Sequence, residues 1–465
     1  MEFLNRQDEF SRLDRALGSP GGFAAIWGRR RVGKSRLLIE WSGRRDGLYA
    51  VADASAPAVQ RRYLAAAAAA RFPGFADVDY PDWRSFFDRL TVEAAKAHWP
   101  GPVILDELPY LIAADPSITS VLQNWLDAPQ PRPCLVVSGS SQQMMHGNLL
   151  DAGAPLYGRA SEAFALRPLQ PGYLQQAFPT AGMRELVSLY ALWGGMPRYW
   201  ELAQPFGSDL DAAVDTLVLD PGGALHDEPN RLLRAETPPA TALRPLLDVI
   251  GAGAHRASEI GGRLGKPASS LARPLATLVA MNLVRRETPF GSDPKTGKRS
   301  LYRIDDPFLR LWFRVVASRR AMLAEAPSET RLAQWHRLRP NLEAMAWEEL
   351  CRMSVPLLHR TDNALAPYGP WLPAQRYWHG NDPEFDVVAL SADGRRLLVG
   401  EVKWTARASN AHLRPLRGTE VLPGASDCEV VEAVFVPESG DWSGALSDAV
   451  VLDARAVLGS LRAQG

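Results

Sequence analysis

Two groups of residues in this chain have the types and spacing to work on phosphates. In "GRRRVGKS", Gly28, Gly33, Lys34 and Ser35 fit the spacing G-x-x-x-x-G-K-[ST] without a mismatch. Glycines let such a loop bend until successive N–H groups face the phosphates of a nucleotide, and the helix after the loop adds its positive end. The whole loop is therefore a candidate contact: Gly28, Arg29, Arg30, Arg31, Val32, Gly33, Lys34, Ser35 and Arg36. Lys34 is expected to reach the β- and γ-phosphates and the Ser35 hydroxyl to ligate magnesium, so ATP and Mg2+ are the expected cofactors. The second group lies in "EFDVVALSADGRRLLVGEVKW" (384–404), where Asp386, Glu401 and Lys403 flank a tight turn. Two carboxylates suit a hard divalent cation, and a lysine beside them can orient or polarise a water near a phosphate. An exposed hairpin with ordinary charges is the alternative reading.

Further residues complete the two groups. "PVILDE" is an apolar run that ends in Asp106 and Glu107. At the carboxyl edge of a strand beside the phosphate loop, Asp106 would hold magnesium and Glu107 would orient the attacking water. "CLVVSGSS" ends near Ser140, which reads either as a sensor of the γ-phosphate or as part of an ordinary turn. Arg159 in "PLYGRA" reads either as an arginine finger on a neighbouring subunit's nucleotide or as a surface salt-bridge partner. "AMAWEELC" (344–351) offers Glu348 and Glu349 on a helix, and Glu348 is preferred as a third metal ligand with Asp386 and Glu401.

These residues need elements to position them. Strands are expected at 23–27, 48–52, 102–106 and 134–139, alternating with helices as in a parallel α/β sheet. The alanine-rich "RRYLAAAAAA" (61–70) reads as a helix. Residues 1–175 then form the α/β unit and 176–235 a helical one. In 236–305 the order is helix, turn at Gly265, second helix with Leu271, Leu275 and Leu278 inward, then a basic loop. That is the order of a winged helix-turn-helix. Lys295, Lys298 and Arg299 in its wing would contact phosphates, and Pro274 is expected to kink or shorten the second helix. The same module serves equally as a packing or protein–protein piece. Helices over 306–339 lead to an α/β region over 340–465, where "EFDVVAL" and "RLLVGEVKW" alternate as two antiparallel strands. Because side chains repeat every two residues, Glu384 and Asp386 share one face, as do Glu401 and Lys403.

At 465 residues the chain is multidomain, and its 46% apolar content is that of a folded protein. Lys+Arg and Asp+Glu balance at 52 each, so contact with nucleic acid has to come from a local patch. The three scattered cysteines, the charged amino terminus and the absence of a run of ~20 apolar residues predict a cytoplasmic protein without membrane contact.

Read together, these residues resemble the archaeal-type P-loop ATPases of the AAA/STAND kind that carry a carboxyl-terminal nuclease-like domain (DUF234-type). "FLNRQDEFSRL" is similar to their opening, "GRRRVGKS" to their phosphate loop, "GGMPRYW" to their lid signature and "LYRIDDPFLRLWFRVV" to the segment after their winged helix. "EFD…GEVKW" resembles the core of PD-(D/E)XK nucleases. The resemblance implies a P-loop ATPase domain (1–175), a helical lid (176–235), a winged helix (236–305), a helical linker (306–339) and an α/β restriction-endonuclease-like domain (340–465). It places catalytic roles on Glu107, Arg159, Asp386, Glu401 and Lys403. The expected function is ATP binding and hydrolysis coupled to DNA, with Mg-dependent cleavage or processing. The alternatives are a nucleotide-gated switch that binds DNA or protein without cutting, and an adaptor with a structural nucleotide. A protein partner and a homo-oligomer are compatible with each.

Overall fold

The computed structural model describes residues 1–140, 144–145, 147, 151–235, 243–293, 299–361, 363–380, 382–405, 416, 418–438 and 449–462. The amino-terminal sheet comprises β1 (Phe23–Trp27), β2 (Leu48–Val51), β3 (Val103–Asp106), β4 (Leu135–Gly139) and β5 (Glu162–Ala165), in the order β2-β3-β4-β1-β5. All four pairings are parallel. Every residue of β1, β3 and β4 is buried, as expected of continuous apolar runs covered by helices on both faces. The alanine-rich run is helical, within Pro57–Ala69. The sequence does not announce β5, because it is an edge strand with one buried residue of four. The strand order matters for chemistry: β4 lies between β1 and β3, so the carboxyl ends of all three open onto one crevice.

The helical unit after this sheet turns on "WGGMPRYW". The helix Met183–Trp193 is buried throughout its last two turns, and Pro197 starts the next helix, Pro197–Ala203. Gly194 has φ +54, and a side chain at Gly195 would run into the Leu169 carbonyl, so the turn admits no larger residue at either position.

The middle of the chain has helices Arg244–Gly251, Ala257–Leu264 and Ala272–Ala280, and then the antiparallel pair β6 (Val284–Glu287) and β7 (Leu301–Ile304). Gly265 caps the second helix in the left-handed conformation. Leu271, Leu275 and Leu278 point inward, as their spacing predicts. Pro274 goes with a short α-helix of nine residues. A 3-10 turn over Ala268–Leu271 leads in, so Pro274 falls in the first α-helical turn, where a backbone N–H has no partner to lose. The loop between β6 and β7 is docked: the Phe290 N–H donates to the Arg376 carbonyl at 2.8 Å, and a side chain at Gly291 would collide with Pro423. Lys295 and Lys298 lie outside the described residues.

After the buried helix Pro307–Val315, the helix Ser328–Ser354 runs unbroken for 27 residues. The boundary expected between 339 and 340 therefore falls inside one helix, at Pro340, where the missing N–H removes one i→i−4 bond without ending the helix. A second sheet comprises β8 (Gln375–Tyr377), β9 (Phe385–Leu390), β10 (Arg396–Val402), β11 (Glu429–Phe435) and β12 (Val450–Leu452), in the order β12-β11-β10-β9-β8. β8, β9 and β10 pair antiparallel, and β10, β11 and β12 parallel. Among the described residues no helix is long and apolar enough to cross a membrane.

Candidate functional sites

The phosphate loop joins β1 to the helix Lys34–Arg44. Gly28 and Gly33 take φ values of +156 and +99, which a side chain rarely allows. The Lys34 ammonium folds back to donate to the Gly28 carbonyl at 2.8 Å. Across the crevice, the buried Asp106 carboxylate accepts from the Tyr49 hydroxyl at 2.7 Å, from the Glu107 N–H at 3.0 Å and from the Ser138 hydroxyl. Burial first, and Asp106 second, raise the Tyr49 hydroxyl well above the ordinary phenol range, with Ser35 pulling the other way, so it stays a donor to Asp106. The Ser35 hydroxyl and Asp106 carboxylate oxygens are the donor type a hard cation takes, so the residues fit magnesium. Sequence reading missed Tyr49 and Ser138, since neither belongs to a motif; the strand order alone brings them in.

Glu107 sits in the left-handed region at φ +58, a conformation that costs on the order of 1 kcal/mol. Its carboxylate accepts from both the N–H (3.0 Å) and the hydroxyl (2.8 Å) of Ser140. Ser140, expected as a phosphate sensor or part of a turn, is thus held against Glu107. The loop arginines also turn out differently. Arg29 is buried and ion-paired with Asp306 at 2.9 Å, and Arg31 with the buried Glu228 at 2.8 Å. Their side chains face the helical unit and the Pro307–Val315 helix, which leaves their backbone N–H groups for a phosphate. Arg159 forms a bidentate pair with Asp127 (2.8 and 2.7 Å), the salt-bridge arrangement of its two readings.

A cavity of about 470 Å3 opens over the loop, lined by Arg30, Lys34, Ser35, Arg36 and Glu107 on one side and by Phe3, Leu4, Leu169 and Pro197 on the other. The opening motif explains its wall. Arg6 donates to the Val32 carbonyl at 3.1 Å and to the Arg167 carbonyl at 2.9 Å, and pairs with Glu9. It pins the first residues against the phosphate loop. Arg198 reaches the same cavity from the helical unit.

The carboxyl-terminal acids meet as the alternation predicts. Gly400 pairs with Val387, and one residue further the register sets Glu401 opposite Asp386, on the same face. The Asp386 carboxylate accepts from the Val402 N–H at 3.1 Å, and Lys403 is ion-paired with Glu401. Burial, then repulsion from Glu348 and Glu401, pushes Asp386 up to about 6. Burial also raises Glu401, against the pull of Lys403. Glu348 is therefore the helical acid of the cluster. Glu349 faces the other way, into Arg310 at 2.8 Å and Arg285. One expectation needs correction: among the described residues no group of three or more His, Cys, Asp or Glu is arranged to hold a metal ion. The reason is visible in the pairings, since Lys403 draws Glu401 and Arg352 draws Glu348 (3.5 Å). Asp386 and Glu401 remain an oxygen pair that suits a hard cation, and their mutual repulsion is what such a cation relieves.

The comparisons agree with this architecture. Residues 312–414 match the DUF234 family, described as archaea bacterial proteins of unknown function. That stretch holds Glu348, Asp386, Glu401 and Lys403. The uncharacterized protein MJECL04 of Methanocaldococcus jannaschii is 27% identical over 409 residues, covering 86% of this chain and 87% of that protein. The Walker-type ATPase PABY2304 of Pyrococcus abyssi is similar in structure with a TM-score of 0.54 at 19% identity, over 67% of this chain and 96% of its own. The ORC2 protein of Aeropyrum pernix, in ADPNP–ADP complexes, has a TM-score of 0.41 at 14% identity, over 74% of this chain and 94% of its own. Fold and loop together define the class as far as architecture goes: a P-loop fold similar to that of the Walker-type ATPase.

Proposed function

We propose that this chain binds and hydrolyses ATP and uses it to control Mg-dependent cleavage or processing of DNA at its carboxyl-terminal acids. The observation that carries the reading is the register of β9 and β10, which gathers Asp386, Glu401 and Lys403 on one face beside Glu348. In the nucleotide site, the loop N–H groups and Lys34 would hold the phosphates, Ser35 and Asp106 the magnesium, and Glu107 the attacking water. The base would rest against Phe3, Leu4, Leu169 and Pro197. In the carboxyl-terminal site, Asp386 and Glu401 would hold a divalent cation, which would supply charge stabilisation for the attacked phosphate and the sugar oxygen that leaves it. Lys403 would move from Glu401 to the water or phosphate once the cation takes its place. The helices over 244–280 and the hairpin β6–β7 form the proposed winged helix, and the docked loop favours a packing role for the wing over a grip on DNA.

A switch that binds without cutting is the second reading. The pairings of Glu401 with Lys403 and Glu348 with Arg352 favour it, because they occupy the acids a metal would need.

The test is cleavage of end-labelled DNA in Mg2+ or Mn2+. Asp386→Ala and Lys403→Ala are each expected to lower it by about 10²-fold or more. Because Asp386 must be ionised to ligate a cation and titrates near 6, the wild-type rate should fall about tenfold per pH unit below that value and level off above it. More Mg2+ should move the break to lower pH. Unchanged cleavage in both variants would remove the assignment.

A further inference from the structure

A second cleft, of about 460 Å3, opens between the hairpin β6–β7, the helix Ser328–Ser354 and the start of the second sheet. Arg285 and Arg286 line it from the hairpin, Arg352 from the helix, and Arg376 and Trp378 from β8 and the residue after it. Arg285 is committed to Glu349 and Glu287. Arg376 is not committed in the same way. Its ion pair with Glu384 is long, at 3.9 Å, and its Nε is buried with no hydrogen-bond acceptor among the described residues. The indole N–H of Trp378, a residue only 7% exposed, is also buried without an acceptor. Buried donors are nearly always paired, and one left unpaired is costly. Glu287, Asp305 and Glu349 also line the cleft but are paired with Arg285, Arg303 and Arg310, so the two unanswered donors on this wall call for an anion with several acceptor oxygens.

The cleft also has an address. Arg352 donates to the Asp386 carbonyl at 3.0 Å, so its walls continue directly into the acid strand β9. We infer that this cleft holds the phosphodiester backbone of a single nucleic-acid strand, with Arg376 and Trp378 gripping a phosphate next to the Asp386–Glu401 acids. A volume of 460 Å3 is that of a small-ligand pocket. It takes a nucleotide unit or two, but not a duplex, whose backbones are set apart by grooves about 6 and 12 Å wide. The guanidinium of Arg376 lies 5.9 Å from the Trp378 ring centroid, so the two side chains share one wall of the cleft. The inference deepens the proposed function by naming its substrate as a single strand or frayed end, and it rests on that reading for the cleavage step after binding.

Binding tests it without cleavage. Fluorescence anisotropy of a labelled oligothymidylate is measured with the full chain in EDTA, against a blunt duplex of the same length. The wild type is expected to prefer the single strand. Arg376→Ala is expected to weaken that binding about tenfold or more, and Trp378→Phe by a few-fold, with the thermal midpoint and ATP binding of Arg376→Ala unchanged. The assay contains no metal and reads no cleavage, so a failed cleavage assay leaves this result standing. Equal binding of strand and duplex, or strand binding untouched by both substitutions, overturns the inference. Binding of inorganic pyrophosphate with no strand binding overturns it too, and assigns the cleft to a small phosphate ligand.

Discussion

Lys34→Ala is expected to lower ATP turnover by about 10²–10³-fold, the usual loss when one preorganised donor to a phosphoryl group is removed. The Lys34 ammonium rests on the carbonyls of Gly28 (2.8 Å) and Arg29 (3.4 Å). Binding of a nucleotide has to turn the ammonium from those carbonyls to the phosphates, so the substitution removes both the phosphate contact and a group that holds the loop. Phosphate release measured against ATP concentration checks it, with fluorescent-nucleotide binding read alongside. Turnover within a few-fold of the wild type would contradict the assignment of this loop.

Glu349→Ala is expected to destabilise the protein by about 3–5 kcal/mol, the range for breaking a buried pair and leaving its partner charged. Glu349 and Arg310 have side chains only 9% and 6% exposed, and Arg285 pairs with the same carboxylate. Burial opposes the charge of Glu349, and the two arginines more than offset it, holding the carboxyl down at about 2. A lowered carboxyl contributes stability that is present above its ordinary value near 4.3 and is lost as pH falls toward 2. Denaturant unfolding at pH 7 should show the full loss, and the difference from the wild type should shrink on acidification. The site matters beyond stability. Arg310 belongs to the helix capped by Asp306, and Asp306 pairs with Arg29 of the phosphate loop. A row of buried ion pairs thus runs from that loop to the helix that carries Glu348.

Much of this was legible in sequence, for reasons particular elements make plain. The phosphate loop, β1, β3, β4 and the hairpin of β9 and β10 are local patterns whose side-chain period or spacing survives folding unchanged. The features that were not legible depend on neighbours distant in the chain. Tyr49 and Ser138 reach Asp106 only because β2 and β4 flank β3. Ser140 turns to Glu107, and Arg29 to Asp306, because a buried charge or strained residue finds the nearest complement whatever motif it belongs to. The loop of the β6–β7 hairpin is basic in sequence, which suggested DNA, but its apolar Phe290 and its glycine bring it onto the second sheet. Arg376 and Trp378 carried no sequence signal at all. Only the donors left without acceptors in a shared cleft mark them.

The central claim is that one nucleotide site governs one acid–lysine site. Its most direct test is the cleavage rate of a labelled DNA strand in Mg2+ with and without ATP, in the wild type, Lys34→Ala and Lys403→Ala proteins. The account predicts a wild-type rate that changes with ATP, a Lys34→Ala rate that does not, and none in Lys403→Ala. Intact DNA under every condition, from wild-type protein that still hydrolyses ATP, would contradict it.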